Sequence, residues 1–167
     1  KAILDNSPSA IYLKDLENRF ILVNKTTLQN HGVTESEIIG KTLSDLFPGD
    51  PEAVKGYEDN DRKVIESGEA MEFEESALLA DGTHTYLSQK FPLRDFSGNI
   101  YAMCGVSTDI TYRKNAADKI IAILESAPDA VVIVGNEGII EVINKQTEKL
   151  FGYSKSELIG QKVEMLI

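Results

Sequence analysis

The chain has 167 residues, of which 42% are apolar and 26% charged. This composition is ordinary for a folded globular protein and excludes disordered, collagen-like and disulfide-rich chains. The net charge of −10 argues against nucleic acid or an anionic membrane as a partner. The single cysteine, Cys104, cannot form an internal disulfide, which favours a reducing, cytoplasmic location. No apolar run approaches the roughly 20 residues that a membrane-spanning helix needs, so we expect no membrane insertion of this segment.

An internal repeat organises the chain. Residues 2–47 align without a gap with residues 122–167, and 15 of the 46 pairs are identical. A fixed offset of this kind indicates a duplicated structural unit. We therefore predict one complete domain over 1–110, a connector helix over 111–122, and the N-terminal part of a second domain over 123–167.

The first unit begins with two short strands, over 10–13 and 20–23, around a tight turn. Asn18 in this turn is matched by Gly138 in the second copy. These two residue types best tolerate the left-handed backbone region, which predicts that conformation at both positions. A helix should follow from Asn24, and the capping-box pattern that begins at Thr34 should start another short helix.

The remainder of the first unit has a helical pattern and then a strand pattern. Apolar residues at helical spacing predict a helix over 52–67. Alternation with a period of two then predicts strands over 71–79, 85–93 and 99–108, separated by turn signals such as Asp81-Gly82. The expected fold class is α+β, with a five-stranded antiparallel sheet and helices packed on one of its faces.

Several local motifs occur in a characteristic order along these elements. They are Lys14-Asp15-x-x-x-Arg19-Phe20, Gly32-Val33-Thr34-x-x-Glu37-Ile38-Ile39-Gly40, Asp81-Gly82-Thr83, Pro92-Leu93-Arg94-Asp95-x-x-Gly98 and Gly105-Val106-Ser107-Thr108-Asp109-Ile110-Thr111. Together with the element order, they resemble the PAS sensory domain family, and the second copy resembles the same family. The resemblance implies the PAS fold in both units.

A tandem arrangement of this kind looks most like the input region of a sensor histidine kinase. The resemblance implies a module that binds a small molecule or senses redox state and relays the signal through a dimeric helix. Two alternatives remain open: a ligand-free module that only dimerises and relays, and the input region of a diguanylate cyclase.

No arrangement of residues in the sequence predicts catalysis by this segment. His31 and His84 are interpreted as a helix-end and an exposed histidine, not as bases or metal ligands. Asp59 and Asp61 have the spacing that begins a calcium loop, but Lys63 occupies the next ligand position. We therefore predict neither a catalytic site nor a metal site, and assign any kinase activity to other parts of the protein.

Two cofactors known from PAS relatives can be compared with this sequence. The resemblance to the flavin photoreceptors would require a cysteine on a helix, whereas Cys104 falls on the last predicted strand. Haem-binding relatives take an axial histidine from the helix that here spans 52–67, which has no histidine. Covalent flavin and histidine-ligated haem are thus disfavoured, and the ligand is unknown.

Strand alternation indicates which side chains could line a pocket. By analogy with flavin-binding relatives, Met103 and Ser107 should face the helices, while the inward set on the neighbouring strand is left open. Glu75 and Lys90 are expected to form an exposed cross-strand pair. The alternative, a buried pair near Tyr86, would suit a small polar or anionic ligand. The ligand-pocket candidates are Tyr57, Phe73, Glu75, Tyr86, Ser88, Lys90, Met103 and Ser107.

The connector is the expected output of the first unit. The resemblance implies that Asp109 and Thr111 tie the end of the sheet to the connector helix. Apolar residues at coiled-coil spacing, Ile110, Ala117, Ile121 and Leu124, predict a short seam, interrupted at Lys114, through which two chains form a parallel homodimer. The alternative is a plain linker helix that packs on its own domain.

Overall fold

The computed structural model describes residues 1–49, 51–79 and 81–166. Ile167, the last residue of the predicted second domain, lies outside these ranges. The chain divides into two compact units, Lys1–Thr111 and Tyr112–Ile167.

The first unit is a five-stranded antiparallel sheet with helices packed on one face, as the sequence predicts. The strands lie in the order β2-β1-β5-β4-β3. The elements of this unit are α1 (Ala2–Asp5), β1 (Ala10–Lys14), β2 (Phe20–Val23), α2 (Lys25–His31), α3 (Glu35–Ile38), α4 (Leu43–Leu46), α5 (Pro51–Ser67), β3 (Met71–Leu79), β4 (Gly82–Arg94) and β5 (Ile100–Asp109). The strand β4 begins at Gly82, three residues before the predicted start, because its pairing with β3 continues to the Leu79–Gly82 pair at the turn.

The apolar core lies between the sheet and the helices. The buried side chains of this core are Tyr12, Phe20, Val23, Ile38, Leu43, Val54, Val64 and Met103. Alternation along β5 turns Met103 and Ser107 toward the helices, as expected, and leaves Cys104 half-buried on the opposite side.

The turn between β1 and β2 confirms the left-handed residue predicted there. Asn18 has a φ of 67°, and its counterpart Gly138 has a φ of 75°. Asp15 stabilises the turn, because its Oδ1 atom accepts hydrogen bonds from the backbone N–H groups of Glu17 and Arg19. The short turn therefore fixes the register in which β1 and β2 pair.

The second unit repeats the beginning of the first. It contains α6 (Thr111–Ser126), which starts at the last residue of the first unit, followed by β6 (Val132–Val134), β7 (Ile140–Ile143), α7 (Lys145–Phe151), α8 (Lys155–Leu158) and a 3-10 helix (Val163–Leu166). The strands β6 and β7 pair antiparallel, and Ile140, Ile143 and Leu158 form a small buried cluster.

Helix α6 continues to Ser126, beyond residue 122 where the connector is predicted to end. The helix-favouring side chains of Leu124 and Glu125 support the additional turn, and Pro128 follows two residues after its end. None of the residues of α6 is buried.

Candidate functional site

Four charged side chains lie buried between the sheet and helix α5. Lys14 projects from β1, Lys90 from β4, Glu75 from β3 and Asp61 from α5. Lys90 Nζ lies 2.7 Å from both Asp61 Oδ1 and Glu75 Oε1. Lys14 Nζ lies 2.6 Å from Asp61 Oδ2. The two lysines and two carboxylates form one neutral group, which we call the charge cluster.

The periodicities of the strands and of α5 place these side chains together. Lys14 and Lys90 occupy inward positions, which alternate with outward positions along their strands. Asp61 lies seven residues after Val54 and three before Val64, so it shares the buried face of α5 with two apolar side chains. A carboxylate on this apolar face has to be neutralised, and the two lysines provide the opposite charge.

The two lysines differ in their electrostatic environment. Burial lowers the pKa of Lys14, and its single carboxylate partner, Asp61, compensates only in part. Burial also opposes the charge of Lys90, but its ion pairs with Asp61 and Glu75 help to outweigh that effect and its pKa is raised. Lys90 is therefore the firmly charged member of the charge cluster.

The expectation of an exposed pair of Glu75 and Lys90 is wrong. Lys90 is 1% exposed and Glu75 is 9% exposed. The two are not directly opposite in the sheet, since Glu75 pairs with Tyr86 and Lys90 with Met71. Their inward side chains instead meet diagonally, at the point where α5 supplies Asp61 as a second carboxylate.

A row of hydroxyl groups lies beside the charge cluster on the inner face of the sheet. Ser88 and Ser107 face inward from β4 and β5, with their Oγ atoms 2.8 Å apart. Ser107 also contacts the hydroxyl of Tyr12, whose pKa is raised by burial. A Cβ atom at Gly105 would collide with the Tyr12 ring, so the glycine makes room for this tyrosine.

A cleft of about 330 Å³ opens between α5 and β3. Its walls are formed by Gly56, Tyr57, Asp59, Asn60, Lys63, Glu74, Glu75 and Ser76. Asn60 Nδ2 donates to Glu75 Oε1 over 3.1 Å, and the same carboxylate oxygen accepts from Lys90. Glu75 therefore belongs both to the wall of the cleft and to the charge cluster.

The remaining pocket candidates do not all meet at this cleft. Tyr57 lines it, and its hydroxyl donates to the backbone carbonyl of Ser76. Phe73 is half-buried, with Lys90 Nζ 5.5 Å from the centre of its ring. Met103 lies in the apolar core, and Tyr86 lies near the end of the sheet against His84.

A second cleft, of about 270 Å³, lies on the other side of α5. Its walls include the turn from Asp15 to Asn18, together with Glu58, Asp61 and Met103. Asp61 is thus reached from this cleft and Glu75 from the first, so the charge cluster lies between two openings. Lys14 and Asp61 are not among the site residues predicted from the sequence; the signal that could have indicated them is the position of Asp61 on the apolar face of α5.

The end of the sheet is tied to the start of α6 by side chains. Asp109 Oδ1 accepts from the backbone N–H of Thr111, whose Oγ1 accepts from the backbone N–H of Thr85. The other oxygen of Asp109, Oδ2, lies 2.6 Å from His84 Nδ1. His84 Nε2 in turn lies 3.1 Å from Asp81 Oδ1. We call these contacts the junction.

The other side chains that could hold a cofactor are engaged in packing. His31 Nδ1 lies 2.9 Å from the carbonyl oxygen of Thr27, and the ring packs between Phe20 and Phe47. Burial raises the pKa of the Cys104 thiol, so it is a weak nucleophile. Within residues 1–49, 51–79 and 81–166, no group of three or more histidine, cysteine or acidic side chains could hold a metal ion. Among the same residues, no helix has the length and apolar character to cross a membrane.

Comparison with known proteins identifies relatives among sensors. The chain is 30% identical over 122 residues to the methanogenesis regulatory histidine kinase FilI of Methanothrix harundinacea, a match that covers 72% of this chain and 13% of FilI. It is 29% identical over 133 residues to the sensor protein FixL of Bradyrhizobium diazoefficiens, covering 75% of this chain and 26% of FixL. The chain therefore spans a minor part of the length of these relatives.

A solved structure and two family models agree with these relatives. The PAS domain of BvgS from Bordetella pertussis superposes with a TM-score of 0.60 and 27% identity, over 75% of this chain and 94% of that domain. One PAS-fold family model matches residues 4–115, and a second PAS-fold model matches residues 119–167. The chain belongs to the PAS family.

Proposed function

We propose that this chain is the sensory input region of a cytoplasmic sensor histidine kinase. The first unit, 1–110, binds a small polar molecule in the cleft between α5 and β3. The response passes through Asp109 and Thr111 into the connector helix, which forms a parallel dimer seam with a second chain. Catalysis belongs to other parts of the full-length protein, as the kinase relatives suggest.

The observation that carries this proposal is the double role of Glu75. A ligand that donates a hydrogen bond to Glu75 in the cleft competes with Lys90 and Asn60 for the same carboxylate oxygen. Because an unpaired buried charge is strongly unfavourable, Lys90 must then rearrange its contacts. The charge cluster thereby converts occupation of the cleft into a shift of β4.

The strand β4 offers a route from the charge cluster to the junction. Tyr86 lies four residues before Lys90 on the same face of β4, and its backbone is opposite Asp109 in β5. The ring of Tyr86 stacks on His84 with 6.3 Å between the ring centres. A shift of β4 therefore reaches the two residues that hydrogen-bond Asp109, which are His84 on β4 itself and Thr111, which is bonded to Thr85 of β4.

A small molecule is a better-supported signal than redox state. The only cysteine in the sequence, Cys104, lies on the face of the sheet away from the cleft. Burial raises its pKa and lowers its reactivity. Redox sensing would therefore need a bound cofactor, and the ligand itself is the simpler proposal.

A specific observation favours the ligand-free relay as the second candidate. Among the described residues, every buried side-chain nitrogen and oxygen atom has a hydrogen-bond partner within the protein. The buried polar side chains therefore need no ligand to satisfy their hydrogen bonds. In this alternative the first unit only dimerises and transmits displacements from elsewhere in the protein.

Native mass spectrometry of the whole chain separates the two candidates. We expect a mass above that of the denatured chain in the wild type. Glu75→Gln should raise the dissociation constant about tenfold, and so lower the bound fraction, because it weakens a charged contact worth about 1.4 kcal/mol. Glu72→Gln is the matched control, since Glu72 lies on the same strand with its side chain exposed, and it should bind as the wild type does.

Two results would contradict this proposal. A dimer of the unmodified mass, before and after incubation with extract from the producing cells, would reject the ligand sensor in favour of the relay. Equal loss of binding in Glu75→Gln and Glu72→Gln would place the ligand away from the cleft.

A further inference from the structure

The internal repeat extends to one particular set of hydrogen bonds. In the first unit, Asn24 Nδ2 donates to the carbonyl oxygens of Leu4 and Ser9, at 2.9 Å each. Its Oδ1 accepts from the backbone N–H groups of Ile11 and Thr27, at 3.0 Å each. One buried side chain therefore joins helix α1, strand β1 and helix α2.

The second unit reproduces the same set, shifted by 120 residues. Asn144 Nδ2 donates to the carbonyl oxygens of Leu124 and Asp129, at 3.0 and 2.9 Å. Its Oδ1 accepts from the backbone N–H groups of Val131 and Thr147, at 2.9 and 3.1 Å. Leu124 belongs to the last turn of α6, which thus occupies in this unit the position that α1 occupies in the first.

A carboxylate beside each asparagine reinforces the attachment. Asp5 Oδ1 accepts from the backbone N–H of Lys25 over 3.1 Å, and Glu125 Oε2 accepts from the backbone N–H of Lys145 over 3.0 Å. In both units an acidic side chain at the end of the preceding helix therefore contacts the first turn of the following helix, where negative charge is favourable.

We propose that Asn144 is a positioning residue that couples the end of the connector helix to the second PAS unit. Helix α6 is then held at its first residue by the junction and at its last turn by Asn144 and Glu125. A displacement of the helix would be passed by one side chain to Val131, directly before strand β6, and to helix α7 together. This proposal rests on the relay part of the proposed function but not on ligand binding.

The oxygen and the nitrogen of the Asn144 amide group have different roles. The oxygen of Asn144 caps α7, which an aspartate could do equally well. Only the nitrogen reaches the carbonyl of Leu124, and only an amide can donate there. The asparagine is thus required for the attachment of α6, whereas the cap alone does not require it.

Asn144→Asp separates the two roles in the whole chain. The variant keeps the acceptor for Thr147 but replaces both donated hydrogen bonds with a carboxylate oxygen that faces two carbonyl oxygens. By hydrogen exchange, we expect the amides of the last turn of α6 to exchange about fivefold faster, which corresponds to about 1 kcal/mol. The amide of Thr147 should keep its protection. Asn24→Asp is the internal replicate and should act in the same way on α1.

A second perturbation tests transmission. Thr111→Val removes the acceptor that Thr85 uses at the junction. Thr111→Val should change exchange in α7 when Asn144 is present, and this response should be lost in the double variant with Asn144→Asp. No ligand is involved, so failure here is distinguishable from failure of ligand binding.

Two results would overturn the proposal. One is unchanged exchange in the last turn of α6 in Asn144→Asp; the other is an equal response of α7 to Thr111→Val with and without Asn144. If Asn144→Asp accelerates exchange throughout the second unit, it has destabilised the unit as a whole. Glu125→Ala then replaces it in the test with Thr111→Val. That change is at an exposed contact and should reduce the α7 response, and an undiminished response would reject the coupling.

Discussion

Lys90 and Lys14 share one carboxylate but depend on it differently. Lys90 has a second carboxylate partner in Glu75, whereas Lys14 has one ion-pair partner, Asp61, and lies 4.7 and 5.5 Å from the ring centres of Phe20 and Tyr12. A buried network of this kind contributes little net stability compared with apolar packing, but removal of one member is costly. The charge cluster therefore adds little net stability, but the stability of the fold is sensitive to the loss of any one of its members.

Lys90→Met tests this interpretation. The change removes the cation from Glu75 and from one oxygen of Asp61, so we expect the free energy of unfolding to fall by about 3–5 kcal/mol. Adding Glu75→Leu removes the orphaned carboxylate and should recover part of that loss. Urea denaturation of the two variants measures both effects. A loss below about 1 kcal/mol for Lys90→Met, or a further loss in the double variant, would contradict the expected interaction.

His84 is the residue of the junction that responds to pH near neutrality. Both of its ring nitrogens lie beside carboxylate oxygens, which only accept hydrogen bonds, so both contacts are satisfied only in the doubly protonated form. The hydrogen bond to Asp109 is the main cause that raises the pKa of His84, and Asp81 adds to it. Partial burial works against ionisation of Asp109, but hydrogen bonds from Thr111 and His84 outweigh it and lower its pKa.

The raised pKa of His84 has a defined consequence for stability. Below the ordinary histidine pKa of about 6.5, the ring is charged in the folded and unfolded chains, and its contribution is fully present. The contribution is lost as the pH rises through the higher pKa of the folded state. The difference in unfolding free energy between wild type and His84→Gln should therefore be larger at pH 6 than at pH 9.

Chemical denaturation at several pH values measures this difference. His31, whose pKa is lowered by burial, is present in both proteins and cancels in the comparison. Asp81→Asn is a partial control, because it removes the longer of the two carboxylate contacts and should weaken the pH dependence without abolishing it. A difference that stays constant with pH, or that grows toward pH 9, would show that His84 is not charged at the junction.

At the level of elements, local sequence signals were sufficient for the fold. The five strands follow from two-residue alternation and from turn signals, and the turn at Asn18 follows from a residue type that tolerates a positive φ. Each of these signals depends on neighbours within a few positions in the chain. The repeat supports the same prediction at a second position, because Gly138 adopts the conformation of Asn18.

The candidate site was less accessible to sequence reasoning. The choice between an exposed and a buried pair at Glu75 and Lys90 depends on Asp61, which comes from another element. Strand alternation indicates that two side chains share a face but not whether a helix covers it. A charge on the apolar face of an amphipathic helix, as at Asp61, is the local signal that indicates a buried partner elsewhere.

At the scale of the whole molecule, helix α6 carries large apolar side chains that the rest of the chain does not cover. It has no buried residue, and Ile120, Ile121 and Ile123 are each more than half exposed. Exposed large apolar side chains on one helix favour an interaction with another chain. Of the three, Ile121 belongs to the seam predicted for a parallel dimer, together with Ala117 and Leu124.

Ile121→Lys and Ile123→Lys form a matched pair for this seam. Both changes add the same charge to a similarly exposed position of α6, but only Ile121 lies at the coiled-coil spacing. We expect Ile121→Lys to weaken dimerisation at least about tenfold, because a lysine at the centre of a seam loses both packing and hydration. Ile123→Lys should leave the dissociation constant near that of the wild type. Sedimentation equilibrium measures all three chains. Equal weakening by both substitutions would place the dimer contact outside the predicted seam, and a monomeric wild type would show that the chain does not form the dimer; either result removes the α6 seam as the route by which two chains share the signal.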